Sequence, residues 1–186
     1  MRIIGGEAKG RILKSVRGME VRPTAGRVRE ALFNILAGRV FDSRWLDLFA
    51  GSGSIGIEAL SRGASRVIFV ENNPKVASVL RQNVTGAGFH SRSQIMRADV
   101  IQAIQKLSFQ DDKFDVVFMD PPYSKYALYK KILTMLDEKN LLTTGGVIVA
   151  ESHKSNPLYS EIGRLYRVRQ NRYGDSLLTF YMMKGG

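Results

Sequence analysis

Asp120-Pro121-Pro122-Tyr123 sets an acid, two prolines and an aromatic ring in one unbroken run. It follows Phe114–Met119, a near-continuous apolar segment that reads as a strand buried on both faces. Consecutive prolines fix φ and hold the backbone extended. The tetrad therefore offers three fixed things: the Asp120 carboxylate, the Pro121 carbonyl and the Tyr123 ring. An exocyclic base amine is a poor nucleophile, because its lone pair is delocalised into the ring. Two acceptors on its two N–H bonds favour the pyramidal form with a localised lone pair. They also disperse the positive charge that develops on attack. Asp120 and the Pro121 carbonyl suit that task, Pro122 stiffens the turn, and Tyr123 offers a stacking face to a base withdrawn from its helix.

A second chemistry-bearing run is Asp47-Leu48-Phe49-Ala50-Gly51-Ser52-Gly53-Ser54-Ile55-Gly56, between an expected strand and an expected helix. Gly51-x-Gly53-x-x-Gly56 has the spacing of a nucleotide-binding turn. Without Cβ atoms, the loop lets an adenosine-bearing ligand lie against the strand end. Glu71 ends the next strand, where a carboxylate can accept hydrogen bonds from both ribose hydroxyls. Asp99 ends the third, within reach of an adenine amino group. The pattern fits a nicotinamide dinucleotide and S-adenosylmethionine alike, but no later constellation resembles a hydride-transfer site.

The 186 residues fit one domain and carry 28 Lys+Arg against 17 Asp+Glu, a net charge of +11. Such an excess points to a polyanion, with nucleic acid ahead of a membrane surface. Cysteine is absent, which excludes disulfides, thiol nucleophiles and Cys-ligated metal and suits a reducing cytosol. With only two histidines, no metal site is expected. No apolar run approaches a membrane span or a signal peptide. Residues 1–44 hold ten basic against four acidic residues, and residues 151–186 six against three, so the charge lies at the two ends. The basic N-terminal part contains Gly5, Gly6, Gly10 and Gly18, and reads as an open extension that grips RNA.

The elements that must position these residues alternate. A helix is expected over 23–36, capped by Thr24, then strands at 45–49, 66–71, 94–98, 114–120 and 146–151. Helices over 57–62, 74–85, 100–107 and 126–137 fall between them. Alternation of this kind argues for a parallel sheet with helices on both faces. Residues 164–171 and 177–183 read as a hairpin around Tyr173-Gly174-Asp175 that closes the sheet with an antiparallel edge.

Several runs together resemble one family, the bacterial small-subunit ribosomal RNA guanine-N2 methyltransferases. This is a class I S-adenosylmethionine-dependent group with the D-P-P-Y motif. The runs are Arg2-Ile3-Ile4-Gly5-Gly6, Lys9-Gly10-Arg11, Arg22-Pro23-Thr24, Arg27-Val28-Arg29-Glu30-Ala31-Leu32-Phe33-Asn34, Asp47–Gly56, Asp120–Tyr123 and Tyr173-Gly174-Asp175. The resemblance implies a Rossmann-like α/β fold whose seven-stranded, mostly parallel sheet ends in an antiparallel strand. Residues 1–44 would be a basic extension and helix of the same domain, and 45–186 the catalytic core. It implies methyl transfer to the N2 amine of a guanine in assembled or assembling small subunits, by a cytoplasmic monomer. Asp47, Phe49, Ala50, Gly51 and Gly53 would line the methionine side of the cofactor, Glu71 and Asn72 the ribose, and Asp99 with Val100 the adenine end. The helix over 27–36 would cover the cofactor.

Arg2, Lys9, Arg11 and Arg22 are expected on phosphates, with Arg27 and Arg29 helping to place the guanine. Methylation of adenine N6 in DNA or RNA is the competing reaction, although DNA enzymes of this type carry a target-recognition region for which 186 residues leave little room. Glutamine methylation of release factors is opposed by Asp120, where those enzymes carry Asn. A non-catalytic RNA-binding module is opposed by the intact tetrad.

Overall fold

The computed structural model describes residues 1–15, 26–122 and 126–185. They form two compact units, Met1–Val100 and Ile101–Gly186.

The first unit is built on three parallel strands in the order β3-β2-β1: β1 (Arg44–Asp47), β2 (Arg66–Val70) and β3 (Ser93–Met96). Trp45, Leu46 and Val67–Val70 are buried, as apolar strands covered on both faces must be. α1 (Gly26–Ile35) lays Leu32 and Phe33 into the core, and Phe33 stacks on Trp45 at 5.5 Å. α2 (Ser54–Ser61) is buried all round. α3 (Pro74–Ala87) shows its boundaries in its residues. The Asn73 side chain accepts the Lys75 and Val76 N–H groups, Pro74 occupies the first turn, and Gly88 closes the helix at φ +86°.

Residues 1–15 do not form an open extension. Arg2 and Ile12 pair across an antiparallel bridge, and Ile3, Ala8 and Leu13 are buried. Gly6, at φ +76°, is so close to the Ser61 carbonyl that a Cβ would overlap it. The Glu7 N–H donates to that carbonyl at 2.8 Å, and the Ser61 hydroxyl donates to the Gly5 carbonyl at 2.6 Å. The Gly5-Gly6 pair thus serves close docking on the end of α2 rather than looseness. The expected Thr24 cap lies outside the described residues.

In the second unit, β4 (Phe114–Met119) runs parallel to β5 (Leu142–His153). β8 (Ser176–Met183) is antiparallel to β5, β7 (Leu165–Tyr173) to β8, and β6 (Glu161–Ile162) to β7. α4 (Val100–Phe109) and α5 (Tyr126–Glu138) are its helices. The hairpin turns on Gly174 at φ +62°, the first loop position of a type II′ turn.

The strands number eight among the described residues, not seven. The added one, β6, is two residues long, too short for any alternation to announce it. It exists because Leu165 and Tyr166 present a free edge to it.

Candidate active site

Asp47 ends β1 and is buried. Its Oδ2 accepts the Gly56 N–H at 3.2 Å, while its Oδ1 has no hydrogen-bond partner. Burial raises its pKa from 3.8 to about 7; the Gly56 and Phe49 N–H groups oppose the rise and the Glu71 charge adds to it.

The glycine loop is pinned from three sides. The Ala50 N–H donates to the Val70 carbonyl at 3.0 Å, the Gly51 N–H to Glu71 Oε2 at 3.1 Å, and the Gly53 N–H to the Ala50 carbonyl at 2.7 Å. Gly51 and Gly53 take φ of +53° and +88°, which only glycine adopts without cost. Gly56 differs: a Cβ there would run into the Phe69 ring and Val67, so it serves helix-to-strand packing.

Glu71 is half-buried and holds two loops at once, because its Oε1 accepts the Asn73 N–H at 2.8 Å. A carboxylate has acceptor sites beyond those two. The structure thus gathers Asp47, Gly51, Gly53 and Glu71 at the ends of β1 and β2. Ala50 and Val100 are buried, Phe49 is half-buried, and Asn72 and Asp99 are exposed.

In the second unit, Asp120 is half-buried at the end of β4, Pro121 is buried and Pro122 exposed. Tyr129, buried on α5, donates its hydroxyl to the Glu151 carbonyl at 2.5 Å and lies 3.4 Å from the Pro121 carbonyl. With one proton already given, that hydroxyl leaves the Pro121 carbonyl most of its acceptor capacity. Tyr123 lies outside the described residues, as does Arg22.

Arg2, Lys9 and Arg11 are exposed on the N-terminal hairpin, and Arg27 is exposed on α1. Arg2 and Arg11 also donate to carbonyls of Gly10 and Gly86, at 3.2 and 2.7 Å. Arg29 corrects the expectation made for it. It is 3% exposed, its Nε lies 3.8 Å from Glu58, and its Nη2 donates to the Arg2 carbonyl at 2.6 Å. Val28, Leu32 and Phe33 share its face of α1 and carry it inward, so it is a core cation rather than a surface ligand.

Two residues escaped the sequence reading. Glu58, fully buried, accepts the Ile4 and Gly5 N–H groups at 2.8 Å each and pairs with Arg62 at 2.8 Å. Its signal was a helix apolar on every side, where a carboxylate must find internal partners. Asn83 exchanges hydrogen bonds with Lys14 and donates to the Ser52 carbonyl at 2.8 Å, joining the N-terminal hairpin to the glycine loop. Its position on the Val76–Leu80–Val84–Ala87 stripe had marked it as buried.

Residues 1–182 match the model of a family described as conserved hypothetical protein 95. Ribosomal RNA small subunit methyltransferase D of Haemophilus influenzae is 38% identical over 85% of this chain and 81% of its own length. The chain belongs to the small-subunit ribosomal RNA methyltransferase D family. YlbH of Bacillus subtilis is 39% identical over the whole of both chains. The solved structure of Escherichia coli yhhF superposes with a TM-score of 0.87 at 30% identity, covering 100% of this chain and 99% of that one. An RNA methyltransferase from Salinibacter ruber in complex with S-adenosyl-L-homocysteine shares the fold at 19% identity. Its TM-score is 0.66 over 88% of this chain and 95% of its own.

The resemblance to small-subunit ribosomal RNA methyltransferases read from the sequence therefore holds. The fold is that of an α/β methyltransferase with an antiparallel C-terminal hairpin. Among the described residues no helix is long and apolar enough to cross a membrane.

Proposed function

We propose that this chain methylates small-subunit ribosomal RNA, using S-adenosylmethionine, at the exocyclic N2 amine of a guanine. The family relatives carry the substrate class. The observation that carries the cofactor is Asp47 Oδ1, a buried acceptor with no partner beside a glycine loop. Buried acceptors are rarely left unpaired, and the ammonium of an amino-acid ligand is the donor that fits.

Asp47, Phe49, Ala50, Gly51 and Gly53 would hold the methionine side, Glu71 and Asn72 the ribose, and Asp99 and Val100 the adenine end. When bound, S-adenosylmethionine supplies an electrophilic methyl group on a sulfonium. The chain's own work is on the amine. Asp120 and the Pro121 carbonyl accept its two N–H bonds, localise the lone pair and stabilise the developing positive charge. Asp120 is then placed to receive the amine proton, and Tyr123 stacks on the guanine. Arg2, Lys9, Arg11 and Arg22 hold phosphates and Arg27 helps to place the guanine, with residues 1–44 part of the same domain as the core. The protein would work as a monomer where ribosomes assemble, in the cytoplasm.

Labelled methyl transfer to small subunits, naked ribosomal RNA and DNA, followed by nucleoside analysis, tests this reading. N2-methylguanosine in ribosomal RNA is the expected product. N6-methyladenosine, or label in DNA alone, would overturn it.

A further inference from the structure

We propose that β7 is a second RNA-gripping surface, in which Arg167, Arg169 and Arg172 bind the phosphate backbone outside the target guanine. This rests on the reading of ribosomal RNA as substrate.

From Gly163 to Gly174 the chain holds four arginines and no acid. One of the four is spoken for: Arg164 pairs with Asp137 at 2.9 Å and donates to its carbonyl at 2.7 Å. The other three are exposed, and none forms an ion pair among the described residues. Neighbouring lysines are neutralised instead, Lys154 by Asp175 at 2.8 Å and Lys184 by Glu161 at 2.7 Å. Arg169 and Arg172 are braced by neutral groups, the Asn171 side chain at 2.6 Å and the Gly174 carbonyl at 2.9 Å. Such contacts hold a guanidinium in place without cancelling its charge.

The strand geometry adds a second argument. Arg167 pairs with Tyr181 and Arg169 with Phe180, so a bulge at Val168 inserts one residue. Arg167 and Arg172 are five apart, an odd spacing that an unbroken strand would send to opposite faces. With the bulge, they pair with Tyr181 and Leu177, which share a face of β8. Gln170 lies between them on that face and donates to Thr179 at 2.9 Å. Arg169 takes the other face, so the strand presents cations to both sides. β6 pairs only with Leu165 and Tyr166, so the outer edge beyond Arg167 carries no strand among the described residues. Their partners Tyr181 and Leu177 are four residues apart, so at about 3.3 Å per residue Arg167 and Arg172 span about 13 Å, a reach that covers consecutive phosphates.

The test compares the parent with a variant carrying Arg167→Gln, Arg169→Gln and Arg172→Gln. Binding to naked small-subunit ribosomal RNA and to assembled subunits is measured over a series of salt concentrations. S-adenosylmethionine affinity and the unfolding midpoint serve as controls. The variant should lose about 2–3 from the slope of log affinity against log salt on both substrates, at about 0.7–0.9 for each of three phosphate contacts. Replacing the same three by Lys should keep the slope. If the glutamine triple folds poorly, single Arg167→Gln and Arg172→Gln variants take its place, each expected to lose about 0.7–0.9, and an unchanged slope in both overturns the contact. An unchanged slope in the glutamine triple would reduce the three arginines to guards against edge-to-edge pairing. A loss confined to assembled subunits would mean a ribosomal protein sits there, and would overturn the RNA contact. A parent with no salt-dependent RNA affinity would instead sink the substrate reading itself.

Discussion

Glu71 reaches back twenty residues and accepts the Gly51 N–H at 3.1 Å. The same carboxylate takes the Asn73 N–H at 2.8 Å. One side chain therefore sets the glycine loop against the end of β2 and the start of α3 before any ligand arrives. Its remaining lone pairs are then free for a ribose. Glu71→Ala should weaken S-adenosylmethionine binding by about 1–3 kcal/mol, the scale of lost hydrogen bonds to a charged group. Calorimetry on the purified variant measures this, and parent-like affinity would remove Glu71 from the cofactor site.

Asp47 gives a pH dependence with a defined sign. Burial raises its pKa from 3.8 to about 7, so the folded chain holds a proton there that the unfolded chain has released. Between those values the folded state binds more protons, and the contribution to stability falls as pH rises through about 7. A ligand ammonium beside the carboxylate reverses the preference and favours the charged form. S-adenosylmethionine should therefore bind more weakly as pH drops below about 7, with proton release on binding near neutrality. Calorimetry in buffers of different ionisation enthalpy reads that release directly. Asp47→Asn should abolish it; a variant that still releases the proton would assign it to another group.

Asp120→Ala should leave cofactor affinity near that of the parent and cut turnover by about a hundredfold or more, as for other preorganised groups that stabilise transition-state charge. Single-turnover methylation of small subunits separates the chemical step from binding. Near-parent rates in that assay would take Asp120 out of the chemistry.

Glu58 is the test of the buried network under the N-terminal hairpin. Its side chain and that of Arg29 are 1% and 3% exposed, and Arg62 completes the cluster. Glu58→Gln leaves Arg29 buried beside a neutral amide, which should cost about 3–5 kcal/mol. Denaturant unfolding reports it as a lower midpoint. A change below about 1 kcal/mol would mean that Arg29 finds water or another partner when Glu58 is neutralised.

Much of this molecule is legible in one dimension. Asn73, Pro74 and Gly88 write the limits of α3 because capping is chemistry between near neighbours. The Tyr173–Ser176 turn and the apolar strands are local in the same sense. The spacing of Gly51, Gly53 and Gly56 identifies a nucleotide-type loop because backbone freedom belongs to residue type. What sequence could not supply is whatever depends on two distant segments meeting. Arg29 looked like one more member of a basic patch until the apolar face of α1 carried it onto Glu58. Gly5 and Gly6 suggested looseness, whereas contact with Ser61 makes them a tight joint. β6 is strand only because an edge waits for it. Residue type and short-range spacing thus determined the family, the loop and most elements. Burial, and with it the raised pKa of Asp47 and the pairing of Arg29, was decided by tertiary packing, because desolvation depends on neighbours far away in sequence.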